Sequence, residues 1–289
     1  MKKRNSLLTV LPEIKKVLEE SSAKAYSETF LKTVFQKNRE QWNISVSVKT
    51  KHFLDFLIKE KILTEYEFRD QNGKRKLIFS LLGVDEYTLI MGLHPNGYYS
   101  HYSSMILNQL TLQMPKSYYL NVEHTKDILS QSLTQDAIDS AFSQPQRKAS
   151  NYFIFKTKKI FVINGKKTDR LGVVTKNSNT ESCAYTDLER TLIDIAIRPA
   201  YSGGVFEVLG AYQTAKKQVD PKKLESYLTE LNFIYPYHQV IGFYLEKAGY
   251  GTKVLKLFEK ETPFKFYLTY NIRSKEFSPK WNLYYPKGI

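Results

Sequence analysis

The stretch Ser47–Leu81 constrains the fold more than any other part of this chain, because a helical pattern passes there directly into a hairpin signal. Its first half carries apolar residues with the spacing of one buried helix face, at Phe53, Leu54, Leu57 and Ile58. Two β-prone runs follow, at 62–69 and 76–81, with Asn72-Gly73 between them. Asn-Gly in this position favours a tight hairpin whose two central residues have positive φ. A helix followed at once by a hairpin is the order of recognition helix and wing in a winged helix-turn-helix domain.

Two further helices are predicted before this stretch. The first has an apolar face made of Leu8, Leu11, Ile14 and Leu18. The second is predicted to begin after Ser27 as N-cap, with a buried stripe of Phe30, Leu31, Val34 and Phe35. Ser47 is the expected cap of the third helix. Three helices and a hairpin within 1–82 match a winged helix-turn-helix domain in size and order.

The predicted DNA contacts lie on the third helix and on the hairpin. They are Lys49, Lys51, His52, Lys59, Arg69, Lys74, Arg75 and Lys76. Asp55, on the exposed helix face, would repel phosphate, and the neighbouring Phe56 is a weak base reader. We therefore expect the wing to contribute more affinity than the helix.

Residues 83–289 are predicted to form a mixed α/β C-terminal domain, in which 83–145 is a connecting α/β segment. From Asn151 the apolar pattern has a period of two, which indicates a small, mainly antiparallel sheet. Helical patterns return after Tyr185, where Thr186 and Glu189 have the spacing of a capping box. A sheet with a helical layer behind a winged helix makes the expected fold class α+β.

The net charge of +14 is concentrated in two blocks. Residues 1–82 hold 17 Lys and Arg against 10 Asp and Glu, and residues 146–176 hold nine against one. Concentrated positive charge can neutralise nucleic-acid phosphates, although a lysine-rich surface can also serve solubility alone. The second basic patch, a candidate to bind DNA or a partner, is Lys156, Lys158, Lys159, Lys166, Lys167 and Arg170.

Composition and motifs narrow the function classes. The single cysteine, Cys183, excludes an internal disulfide and fits a reducing cytoplasm. No apolar run reaches the roughly 18 residues of a membrane span, and the basic N-terminus lacks a signal-peptide core. Phosphate-binding glycine loops, zinc-binding cysteine pairs and HExxH are all absent, so we expect no catalytic residues, no metal and no cofactor.

Three segments resemble the AbiEi-type antitoxin family. They are Tyr98–Asn121, in which Ser-His-x-Ser follows Gly-Tyr-Tyr, then Tyr185–Tyr212 and Tyr235–Tyr250. The resemblance implies a bacterial antitoxin of an abortive-infection, phage-defence operon. Its N-terminal winged helix would repress its own promoter by binding double-stranded operator DNA. Its C-terminal domain would counteract a nucleotidyltransferase-like toxin, in a type IV system where direct toxin contact is not generally required.

The sequence is also compatible with two other functions. The chain could be a protein-interaction module that binds and inhibits a toxin directly, with DNA binding secondary. It could also be a nuclease using Asp169 and Lys167, although no acidic partner lies near them in the sequence. Nothing in the sequence chooses between a monomer and a dimer on DNA.

Overall fold

The computed structural model describes residues 4–114, 116–124, 132–178, 180–261 and 263–289. These residues form a mixed α/β fold with eleven α-helices and twelve β-strands. The helices are α1 (Leu11–Glu20), α2 (Glu28–Asn38), α3 (Thr50–Lys59), α4 (Glu86–Met91), α5 (His101–Leu107), α6 (Gln135–Ser143), α7 (Leu188–Ile197), α8 (Val205–Ala215), α9 (Pro221–Leu231), α10 (Tyr237–Lys247) and α11 (Thr252–Leu255).

The strands are shorter on average than the helices. They are β1 (Ala25–Ser27), β2 (Leu63–Asp70), β3 (Arg75–Leu81), β4 (Tyr98–Tyr99), β5 (Ser117–Glu123), β6 (Tyr152–Phe155), β7 (Lys158–Gly165), β8 (Val173–Asn177), β9 (Ser182–Thr186), β10 (Phe266–Tyr267), β11 (Lys275–Ser278) and β12 (Leu283–Pro286). Strands β10, β12 and β11 form a separate three-stranded sheet in that order.

The main sheet is larger than the sequence predicts. It has nine strands in the order β1-β3-β2-β6-β7-β5-β4-β9-β8. It is also mixed, because β4 pairs antiparallel with β5 but parallel with β9. The prediction of a small, mainly antiparallel sheet is therefore wrong in size. Strands of two or three residues, such as β4 and β1, are too short to produce a readable alternation.

The chain packs as two compact units. Unit 1 holds the described residues of Met1–Gly97, Asn151–Ile160 and Thr175–Ala184. Unit 2 holds those of Tyr98–Ser150, Phe161–Val174 and Tyr185–Ile289. The predicted boundary between residues 82 and 83 does not coincide with this division.

The core of unit 1 is formed by the inner faces of α1, α2 and α3 together with β3. Phe35 and Phe53 are fully buried, and their rings stack with centroids 4.4 Å apart. The Ser27 side chain accepts a hydrogen bond from the Phe30 amide, so the predicted cap of α2 is confirmed. The predicted burial is wrong for two residues of the apolar stripes, because Leu8 is 63% exposed and Phe30 is 37% exposed.

The start of α3 differs from the prediction. Lys49 occupies the N-cap position and its side chain makes no capping hydrogen bond. Ser47 lies two residues upstream and pairs with the Ser45 hydroxyl at 2.9 Å. The predicted Ser47 cap is therefore wrong, since the chain enters the helix later than the serine pattern suggested.

The hairpin β2–β3 is confirmed, but its turn is not the predicted primed turn. Gly73 has φ +78°, whereas Asn72 is not among the residues with positive φ. The Asp70 carboxylate accepts hydrogen bonds from the amides of Asn72 and Lys74, both at 2.9 Å. An aspartate that bonds the backbone two residues ahead favours a longer loop ending in one left-handed glycine.

Unit 2 is built around α7, whose residues from Glu189 to Ala196 are all buried. Asp187 caps this helix by accepting from the Arg190 amide at 2.9 Å. Thr186 instead belongs to β9 and bonds the Thr191 hydroxyl at 2.8 Å. The predicted capping box is wrong because this strand runs one residue further than the helical pattern indicated.

Among the described residues, no helix has both the length and the apolar character of a membrane span.

Candidate nucleic-acid interface

Helix α3 separates a buried face from a charged face. Phe53 and Leu57 are fully buried, while Lys51, Asp55 and Lys59 are exposed and follow one another at intervals of four. A spacing of four keeps side chains in one row along a helix. The predicted contacts of this helix therefore share one solvent-facing row, with His52 exposed beside it.

The lysines of α3 are available for a ligand. Lys49, Lys51 and Lys59 are exposed, and none of them makes an ion pair within the described part of the chain. Lys49 and Lys51 lie at the start of the helix, where unpaired backbone N–H groups also favour anions. Three free ammonium groups and one carboxylate leave this surface positive.

The two arginines of the hairpin are paired with carboxylates of the same hairpin. Arg69 lies 2.6 Å from Glu67. Arg75 lies 2.7 Å from Glu67 and 3.3 Å from Glu65. The strand register places Arg69 directly opposite Arg75, so the glutamates offset a repulsion between like charges. Both arginines would have to exchange these partners to bind a phosphate.

The two lysines of the hairpin differ in how accessible their ammonium groups are. Lys76 is half-buried, donates to the Leu93 carbonyl at 3.0 Å and lies 5.2 Å from the Phe153 ring centre. Burial lowers the pKa of Lys76 below its usual value. Lys74, in the turn, is exposed and makes no ion pair with any described residue. Of the four predicted wing cations, Lys74 is therefore the one ready to contact a phosphate.

The second basic patch is divided between the two units. Lys156, Lys158 and Lys159 belong to unit 1, whereas Lys166, Lys167 and Arg170 belong to unit 2. In unit 1, Lys158 pairs with Glu86 at 2.9 Å. The ammonium groups of the exposed Lys156 and Lys159 lie over the rings of neighbouring aromatic residues.

The members of the patch in unit 2 are occupied locally. Lys166 donates to the carbonyls of Leu231 and Asn232 at 2.7 and 2.9 Å, at the end of α9. Lys167 is 3.8 Å from Asp169, and Arg170 lies over the Tyr98 ring. Their charges serve this unit's own structure as well as any ligand.

Sequence reasoning missed one neighbour of the hairpin. Strand β6 pairs with β2, with Arg69 opposite Ile154 and Asp70 opposite Phe153. This brings Lys156 into unit 1 although it lies 75 residues beyond the end of the hairpin at Leu81. Nothing local in the sequence signals such a pairing. The spacing of two between Glu65, Glu67 and Arg69 did offer a signal, because it places all three on one face of β2.

Metal binding and thiol chemistry have little support in the described ranges. They contain no group of three or more His, Cys, Asp or Glu side chains that could hold a metal ion. Cys183 is buried, and burial raises the pKa of its thiol to about 11. A thiol with so high a pKa is a poor nucleophile near neutral pH.

Comparisons with known proteins define the fold alone. No family model matches the chain, and no curated protein matches it. Among solved structures, the chain is similar to the RV2827C protein from Mycobacterium tuberculosis, with a TM-score of 0.56 and 12% sequence identity. The similarity covers 99% of this chain and 93% of that protein. The two proteins therefore share an overall fold at very low sequence identity.

Proposed function

We propose that this chain is a DNA-binding autorepressor and antitoxin of the AbiEi type, acting in the cytoplasm without enzymatic activity. In this proposal α2, α3 and the β2–β3 hairpin work as a winged helix-turn-helix. Helix α3 is the recognition helix and the hairpin is the wing. Unit 2 counteracts a nucleotidyltransferase-like toxin.

The observation that carries the DNA-binding proposal is the exposed row on α3. Lys51 and Lys59 point away from a fully buried apolar face, and Lys49 lies at the helix start. None of the three has a carboxylate partner among the described residues. Lysines that are already free of partners bind phosphate without first losing an ion pair.

The same contacts indicate how the affinity for phosphate is divided between α3 and the hairpin. The sequence favoured the wing over the helix, because Asp55 weakens the helix surface. The hairpin, however, holds three acidic residues beside its four basic ones, and its arginines are paired. We therefore assign most of the phosphate affinity to α3 and to Lys74.

The test is a double replacement, Lys51→Ala with Lys59→Ala, measured by fluorescence anisotropy on the DNA that precedes the chain's own reading frame. Each phosphate contact adds about 0.9 to the slope of log affinity against log salt, which is about fivefold in affinity at 0.15 M salt. The variant should therefore bind about 30-fold more weakly, with the slope reduced by about 1.8.

A matched control removes two lysines from α1 instead. Lys15 and Lys16 are exposed and pair with glutamates one turn later at 3.8 Å. Lys15→Ala with Lys16→Ala changes the net charge equally and should leave the slope unchanged. Equal losses in both variants would show that only net charge matters, and would overturn the assignment to α3. Thermal unfolding of each variant verifies that the fold is retained.

A second candidate function, direct binding of the toxin, is favoured by an apolar patch on unit 2. Leu112 is 100% exposed, and Phe206 is 59% exposed. The Glu207 carboxylate accepts from Thr111 at 2.7 Å and from Gln113 at 3.1 Å, which holds this loop beside the start of α8. Large exposed apolar side chains that lie together mark many protein interfaces.

Replacing Leu112 and Phe206 by serine tests this second candidate. If contact with the toxin is direct, the variant should lose protection of cells that express the toxin and should keep operator binding. If protection is unchanged, this patch does not bind the toxin, and the proposal of neutralisation without contact is retained.

A further inference from the structure

Unit 2 contains a cavity of about 240 Å³ that the proposed function does not use. Its wall combines the start of α5, the loop after β7, the end of α7 and the segment before α10. The charged groups and the one histidine in this wall are Lys166, Arg190, Asp194, Arg198 and His101, and four further members are aromatic. Concave sites of this kind, with a few converging polar groups, typically bind small molecules.

Arg198 is the member of this wall without a partner. It is half-buried, and its guanidinium makes no hydrogen bond or ion pair with any described residue. Its guanidinium carbon lies 5.7 Å from the centre of the Tyr201 ring. The guanidinium of Arg190, in contrast, is hydrogen-bonded, because it donates to Asp194 at 2.9 Å and to the Leu171 carbonyl at 2.7 Å. A half-buried cation without a partner is costly unless an anion meets it.

His101 adds a neutral polar group to the same wall. It is 7% exposed and has φ +52°, which is a strained backbone for a residue with a side chain. Burial, and then the charges of Arg198 and Arg190, hold its pKa well below the usual value. Its Nδ1 lies 2.8 Å from the Ser100 hydroxyl. When that hydroxyl donates to Nδ1, the other ring nitrogen carries the proton and can donate to a ligand oxygen.

Asp194 provides the acceptor. Its Oδ1 receives the Arg190 hydrogen bond, while its buried Oδ2 has no partner among the described residues. A buried carboxylate oxygen without a donor is uncommon, and a ligand hydroxyl would satisfy it.

The charge of the wall indicates the charge of the ligand. Lys166, Arg190 and Arg198 are cationic, Asp194 is anionic and His101 is neutral, so the wall carries two net positive charges. A phosphate monoester carries between about −1.5 and −2 at pH 7. The volume equals about eight water molecules at about 30 Å³ each, which accommodates a phosphate and a small organic group.

We infer that this cavity binds a phosphomonoester, with Arg198 holding the phosphate, His101 donating to it and a ligand hydroxyl directed towards Asp194. The phosphomonoester can come from a free sugar phosphate or from the 5′-phosphate end of a nucleic acid. The same groups on the protein would recognise both. This inference concerns unit 2 and does not depend on DNA binding by α3.

Calorimetric titration of the full chain tests the inference with defined probes. Ribose 5-phosphate should bind with a Kd below about 1 mM, inorganic phosphate more weakly, and ribose not detectably. Arg198→Met should weaken the binding of ribose 5-phosphate about tenfold or more. Arg273→Met, which removes an exposed arginine of the same unit, should leave it unchanged.

Two further arms identify the source and protect against a folding artefact. A trinucleotide with a 5′-phosphate is compared with its 5′-hydroxyl form, and preference for the phosphorylated form over ribose 5-phosphate assigns the site to a nucleic-acid end. Arg198→Lys keeps the charge but loses the paired donors, so it should bind between wild type and Arg198→Met. The inference is overturned if no phosphorylated probe binds, or if Arg198→Met binds ribose 5-phosphate as tightly as wild type does.

Discussion

Replacing the two glutamates of β2 by glutamine should strengthen operator binding. Glu65 and Glu67 hold Arg69 and Arg75 in three ion pairs with distances between 2.6 and 3.3 Å. Glutamine keeps the size of the side chain and removes its charge. Both arginines then become available to phosphate, and two negative charges leave the same surface.

The magnitude follows from the exposure of the pairs. The arginines are 57% to 60% exposed and the glutamates 34%, so each pair is a surface pair in largely aqueous surroundings. Such pairs contribute about 0.5 kcal/mol each. Releasing three of them makes about 1.5 kcal/mol available, which is roughly a tenfold gain in affinity. The salt slope should steepen by up to about 1.8, because two more phosphates are neutralised.

The assay is an anisotropy titration of the double variant between about 50 and 200 mM salt, the range over which phosphate contacts change affinity most visibly. Glu19→Gln with Glu20→Gln on α1 is the matched control, because those carboxylates also pair with lysines of their own element. If both variants gain affinity equally, net charge explains the effect. If the hairpin variant gains nothing, the wing does not approach DNA, and its place in the interface is refuted.

Two predictions concern the interior. Asp194→Ala should lower the free energy of unfolding by about 3–5 kcal/mol in urea titration, because it leaves the buried Arg190 charge unpaired. The double variant Arg190→Met with Asp194→Leu should recover most of that loss, because it removes both charges. Cys183, whose pKa burial raises to about 11, should react with iodoacetamide at pH 8 about a hundredfold more slowly in the native state than in the unfolded chain. The native rate should rise about tenfold per pH unit up to about pH 10, and a plateau below that pH would contradict the raised pKa.

Local patterns in the sequence predicted the helices well. The N-cap of α2 was predicted at Ser27, where the structure has it, because serine before an apolar helical stripe is a typical cap. The hairpin of β2 and β3 was also predicted, from Asn72-Gly73 between two β-prone runs. Each of these signals lies within about four residues of the feature it specifies. The short strands β1 and β4 were missed, because β1 pairs with the distant β3, β4 pairs with the distant β5 and β9, and neither has a period of its own.

The candidate interface was less predictable for the same reason. The charge on the hairpin was visible in the sequence, but its availability was not. Lys76 is engaged by the carbonyl of Leu93, and Lys158 by Glu86, which lies 72 residues away. Long-range partners of this kind are set by the fold. The pairing on β2 was different, since the alternation of Glu65, Glu67 and Arg69 could have been read directly from the strand.

Counting charges along the chain therefore overestimates how many cations a ligand can use. The basic side chains that the structure describes within 1–82 are in three different states: free, paired on the surface, and half-buried. Only the free ones contribute fully to phosphate binding, because paired ones lose an existing interaction and half-buried ones would have to be exposed.

On α3 the helical period keeps Lys51 and Lys59 in one row. The acidic residue between them, Asp55, is their neighbour but forms no ion pair with them. On β2 the period of two brings the glutamates against the arginines. Within the part of the chain that the structure describes, the positive charges are thus free of carboxylate partners on the helix and largely paired on the hairpin, and the secondary structure around each residue decides which of the two applies.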